Sequence, residues 1–88
     1  MAWKIEYAET AVKQLRKLDK VVARRIADFL DERIASGNDP RSLGKPLKGP
    51  LGDLWAYRIG DYRVLCDIKD RAVTVLVLQI GNRREIYR

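Results

Sequence analysis

At the start of the chain apolar and polar positions alternate, with Trp3, Ile5 and Tyr7 on one side and Lys4 and Glu6 on the other. A period of two is the mark of a strand with one buried face, so residues 3–7 read as a strand. The period then lengthens. From Glu9 to Asp19 the apolar residues Ala11, Leu15 and Leu18 recur at intervals of four and three, which predicts a short amphipathic helix starting near Glu9 or Thr10. A second helix is predicted from about Lys20 to Ala35, where Val22, Ile26, Phe29, Leu30 and Arg33 or Ile34 form a stripe and Arg24, Arg25, Asp28, Asp31 and Glu32 point elsewhere. Gly37 is expected to close it in a left-handed conformation.

The span from Asn38 to Gly52 is rich in proline and glycine and reads as a long loop, a feature that in small domains often serves function. Three runs follow, Leu54 to Ile59, Tyr62 to Ile68 and Val73 to Ile80. They are rich in β-branched and aromatic residues and are separated by Gly60-Asp61 and by residues 69–72. They predict an antiparallel meander. The expected fold is α+β in the order β-α-α-β-β-β, with the first strand added to the sheet and two helices packed on one face.

A two-residue turn at Gly60-Asp61 fixes the pairing: Ile59 with Tyr62, Arg58 with Arg63, Tyr57 with Val64. One face then carries Trp55, Tyr57, Ile59, Tyr62, Val64, Cys66 and Ile68, joined by Val73, Val75 and Val77, and is the face for the helices to cover. The other carries Ala56, Arg58, Arg63 and Leu65. Two arginines directly opposite each other repel by a few tenths of a kcal/mol, which an anion would offset. Solvation, or pairing with Asp61 or Asp67, accounts for such a pair about as readily.

A chain of 88 residues is expected to form a single domain over residues 1–88. One cysteine excludes an internal disulfide, and the absence of histidine excludes the usual zinc ligand sets, so no metal or other cofactor is expected. The N-terminal residues lack the apolar run of a signal peptide and no stretch suits a bilayer span, which points to the cytoplasm and away from membranes. A net charge of +6 favours anionic partners.

Arg83 and Arg84 follow the third run, which ends near Tyr62-Arg63, so arginines from two strands converge at one end of the sheet. The guanidinium fork suits phosphate oxygens. Lys45 and Lys48 add positive charge in the loop, although lysine is also the default solubilising residue there. Tyr87 is read as a packing anchor or as a ring that stacks on an unpaired base. Cys66 falls on the apolar face and, with no histidine to activate it, reads as a small buried hydrophobe.

Several segments resemble the RelE/ParE toxin superfamily, specifically its RelE branch: Lys45-Pro-Leu-Lys-Gly49, Leu54-Trp55, Arg58, Gly60-Asp61-Tyr62-Arg63-Val64, and Ile80-Gly81-Asn82-Arg83-Arg84-Glu85-Ile86-Tyr87. The resemblance spans essentially the whole chain. It implies the toxin of a type II toxin-antitoxin system, a metal-independent, ribosome-dependent endoribonuclease (mRNA interferase) that cleaves messenger RNA in the A site and inhibits translation. In that family the ribose 2′-hydroxyl attacks the adjacent phosphate, leaving a 2′,3′-cyclic phosphate and a 5′-hydroxyl. Carried over by position, Arg63 would stabilise the charge on phosphate, Arg83 would neutralise or protonate the leaving oxygen, and Tyr87 would orient the substrate. Arg58 matches a basic position of the preceding strand, and Lys45, Lys48 and Arg84 would bind RNA. Ala56 stands where some members carry lysine or arginine, and Asn82 where many carry histidine. No group is therefore assigned to activate the 2′-hydroxyl, since arginine holds its proton above about pH 12.

The resemblance also implies partners: an acidic RelB-like antitoxin, the ribosome and its messenger RNA, and promoter DNA reached through the antitoxin. Two alternatives share the basic face. A ParE-like protein would inhibit DNA gyrase without chemistry, and a plain nucleic-acid-binding module would supply phosphate affinity alone. The basic face lacks the interleaved aromatics of an RRM-type stacking platform.

Overall fold

A computed structural model describes residues 2–37, 39–47 and 54–82. Strand β1 (Lys4–Tyr7) leads into helices α1 (Glu9–Lys17) and α2 (Lys20–Phe29). Asp19 separates the helices and caps the second, its carboxylate accepting from the Val21 N–H at 3.0 Å. The helical path continues as a π-helical turn over Leu30–Ala35, whose last carbonyl accepts from the Trp3 N–H at 2.7 Å. Gly37 is not left-handed, contrary to expectation: the chain leaves the helix through Ser36 with right-handed dihedrals, and Gly60 is the positive-φ glycine of the described residues. A Cβ on Gly37 would lie 3.0 Å from the Arg33 carbonyl oxygen, so close approach explains the glycine here.

The proline-rich span is not simply a loop. It holds a 3-10 turn at Pro40–Leu43 and a short strand, β2 (Lys45–Leu47). Pro46 conceals that strand in the sequence, because proline cannot donate to a ladder and is tolerated only at an edge. Strands β3 (Leu54–Ile59), β4 (Tyr62–Lys69) and β5 (Thr74–Asn82) complete a five-stranded sheet ordered β1-β5-β4-β3-β2. All neighbours are antiparallel except β1, which runs parallel to β5.

The β3–β4 register is the one the two-residue turn predicts, with Gly60 at φ +60° in its first central position. The β4–β5 register differs. The turn occupies residues 70–73 rather than 69–72, and Val73 takes a left-handed φ of 48°, uncommon for a β-branched residue. Ile68 therefore pairs with Val75 and Cys66 with Val77. Leu78 is an extra residue between the Leu65–Gln79 and Cys66–Val77 pairs, and this bulge turns Ile80 inward with Val75 and Val77. Gln14 of α1 accepts from the Ile80 N–H at 2.6 Å, two residues past the bulge.

The two helices pack on one face of the sheet. Ala11, Ile26, Leu30 and Ile34 meet Tyr57, Ile59, Val64, Cys66, Val75, Val77 and Ile80 in one core, with Trp3, Trp55 and Tyr62 half-buried at its margin. Each fully buried Val or Ile contributes about 1.5–3 kcal/mol relative to exposure, so this face carries the stability. Among the described residues no helix is long and apolar enough to cross a membrane.

Candidate nucleic-acid interface

The face of β3 and β4 turned away from the helices holds the charges. Ala56 lies opposite Leu65 and Arg58 opposite Arg63. Arg58 is exposed and Arg63 half-buried. On the far side of Arg63, β5 presents Gly81, which has no side chain to crowd it. On the near side, β2 places Lys45 directly across from Ala56 and so on the same face. Leu43, Lys45, Ala56, Tyr57, Arg58 and Arg63 line one groove of about 100 Å³. Three cations thus share a small concavity on the uncovered face. Like charges in cross-strand positions cost a few tenths of a kcal/mol, a cost that a phosphate chain would reverse.

Residues 39–47 hold Lys45 in place because the segment is tied down at several points. The Tyr57 hydroxyl, on the buried side of β3, donates to the Pro40 carbonyl at 2.6 Å. Burial pushes the Tyr57 hydroxyl well above the ordinary tyrosine range, so it stays protonated and able to donate. Gly44 lies against the same ring, where a Cβ would sit 3.0 Å from Cε1. The Asp39 carboxylate accepts from the Arg41 N–H at 3.0 Å, and the Arg41 guanidinium grips Asp70 with two hydrogen bonds of 2.9 and 2.6 Å. Those bonds hold the Asp70 carboxyl below the usual carboxylate range. Arg41 also lies over the Trp55 ring, 5.7 Å from its centroid.

Of the residues singled out in the sequence, the structure brings Arg58, Arg63 and Lys45 together. Lys48, Arg83, Arg84 and Tyr87 lie outside the described residues, although Gly81 and Asn82, just before Arg83, pair with Arg63 and Tyr62. Asp67 pairs with Lys69 at 3.5 Å, and among the described residues Arg58 makes no ion pair. Cys66 is fully buried, and burial pushes its thiol far above the ordinary range, so it is no nucleophile. Leu43 at the groove wall was missed in the sequence, where nothing distinguishes it from any other loop residue. Its exposure, 43%, becomes visible only once the 3-10 turn is in place. Among the described residues, no aromatic side chain interleaves with Ala56, Arg58, Arg63 and Leu65 on this face.

Comparison with known proteins agrees with this architecture. Residues 5–87 match the family described as the ParE toxin of type II toxin-antitoxin system, parDE. The chain is 31% identical over 88 residues to toxin RelG of Mycobacterium tuberculosis, covering 100% of this chain and 99% of that protein. It is 30% identical over 91 residues to the mRNA interferase toxin RelE of Escherichia coli, covering 99% and 92%. The fold is similar to that of the RelBE2 toxin-antitoxin complex from Mycobacterium tuberculosis, with a TM-score of 0.85, 28% identity and coverage of 94% of this chain and 93% of that one. With the family match over residues 5–87, relatives at 30–31% identity over nearly their whole length and a shared fold, the chain belongs to the RelE/ParE superfamily and is a RelE-family toxin of a type II toxin-antitoxin system.

Proposed function

We propose that the protein is a ribosome-dependent endoribonuclease that cleaves messenger RNA in the A site by attack of a 2′-hydroxyl on the adjacent phosphate, without a metal. The observation that carries this reading is the meeting of Arg58, Arg63 and Lys45 in one groove on the uncovered face. Arg63 stabilises the charge that builds on phosphate, aided by its partly desolvated position. Arg58 and Lys45 guide the backbone, with Lys48 and Arg84 extending the track. By the family resemblance, Arg83 neutralises or protonates the leaving oxygen and Tyr87 orients the substrate. The name of the Escherichia coli relative, an mRNA interferase, supports the reaction class. The toxin acts in the cytoplasm, and its partner is an acidic RelB-type antitoxin that masks the basic face, as toxin and antitoxin occur together in the Mycobacterium tuberculosis complex of like fold.

Primer extension on a defined messenger RNA, with and without purified ribosomes, tests the proposal. Cuts are expected only with ribosomes present. Since the matching family is described as a ParE toxin, the second reading is a gyrase inhibitor without chemistry. It predicts intact messenger RNA and loss of DNA supercoiling, and that pair of results would replace the nuclease.

A further inference from the structure

Lys45 reaches the groove from a strand that its own ladder holds poorly. Strand β2 has three residues, lies at the sheet edge and contains Pro46, which has no N–H to donate. The turn at Pro40–Leu43, just before it, is anchored twice. Tyr57 ties it to the core side of β3 through the Pro40 carbonyl. Arg41 ties it to the β4–β5 turn, lying over the Trp55 ring and bonding both carboxylate oxygens of Asp70. The Arg41 carbonyl in turn accepts from the N–H of Gly44, the residue before Lys45, at 3.2 Å. A continuous path of bonds therefore joins Asp70 to Lys45.

The Arg41–Asp70 pair is open to solvent, the Asp70 side chain being 62% exposed. Ion pairs in that setting contribute little to stability, but a two-pronged bond fixes direction as well as distance. Neither residue lines the groove. Resting on the nuclease reading, we propose that Arg41 and Asp70 form a clasp that positions Lys45 against the RNA backbone, acting on RNA binding through that lysine without touching RNA themselves. The sign of the effect is diagnostic. Asp70 is an acid on a protein of net charge +6, and long-range electrostatics alone would make its neutralisation tighten RNA binding. With the clasp, the same change loosens Lys45 and weakens binding.

The test is single-turnover cleavage of a defined messenger RNA on programmed ribosomes over a range of toxin concentrations, which separates the half-saturating concentration from the limiting rate. Asp70→Asn keeps the shape of the side chain and removes its charge. It is expected to raise the half-saturating concentration about threefold, with the limiting rate and the thermal midpoint close to those of the wild type. Asp67→Asn removes an acid that pairs with Lys69 outside the clasp, and should leave the half-saturating concentration unchanged or lower it. In a Lys45→Ala background, itself about fivefold weaker in binding, Asp70→Asn should add nothing, since the lysine it positions is gone. An Asp70→Asn protein that binds as well as the wild type or better would overturn the clasp, and so would equal weakening with and without Lys45, equal weakening by Asp67→Asn, or a loss confined to the limiting rate or to the folded fraction. Failure of the wild-type protein itself to cut on ribosomes would instead overturn the nuclease reading, and the clasp's part in it.

Discussion

Strands β3 and β4 are asked to do opposite things on their two faces. Toward the helices they present Tyr57, Val64 and Cys66, all fully buried, and away from them Arg58 and Arg63 in direct opposition. The inner face gains free energy by leaving water. The outer face keeps like charges together at a cost, and the inner face supplies the margin that lets it. The same backbone therefore separates stability from recognition by a one-residue alternation, and substitutions on neighbouring positions should report on different properties.

The largest expected effect is on the inner face. Ile80→Ala removes a buried side chain at the bulge and is expected to cost about 2–5 kcal/mol in urea unfolding, while the fraction still folded cleaves RNA at the wild-type rate. Loss of cleavage per folded molecule would break the separation. On the outer face Arg63→Ala should lower ribosome-dependent cleavage about a hundred- to a thousandfold, with a thermal midpoint close to that of the wild type. A comparable fall in the midpoint would recast Arg63 as a structural residue.

Tyr57→Phe tests the tie between the faces. Losing the bond to Pro40 should cost about 1 kcal/mol, more if the carbonyl is left dry. The substitution has a pH signature too. The folded-state value of Tyr57 is raised, so its contribution is complete below the ordinary tyrosine value of about 10 and is lost as pH rises beyond it, where the unfolded chain ionises and the folded one does not. The phenylalanine variant should lose stability less steeply in alkali, with the remaining slope set by Tyr7 and Cys66, which are raised by burial as well. The smallest effect is expected from Arg58→Gln, which should stabilise the fold by a few tenths of a kcal/mol at low salt and by nothing at high salt while weakening RNA cleavage.

What could be read from the sequence follows from the range of the interactions involved. The two-residue turn at Gly60-Asp61 is local and sets the register, so the opposition of Arg58 and Arg63 was legible. Lys45 was legible as loop charge and, through the resemblance, as an RNA contact, but not as part of the sheet, because the strand that carries it has three residues and a proline and exists by virtue of pairing with β3. The bulge at Leu78 was hidden for a similar reason: alternation along β5 looks regular until its partner strand imposes a different count. The bond from Tyr57 to Pro40 joins positions 17 residues apart and leaves no periodic trace.

The parallel pairing of β1 with β5 has a consequence in time. Lys4 lies beside Thr74 and Tyr7 beside Val77, so the first strand waits for about 70 further residues before its partner exists. Contacts this distant in sequence form late in folding. During translation the helices can form early, but the sheet is completed only after the residues around Val77 have emerged. A toxin built in this order has no complete sheet until its fifth strand has been made.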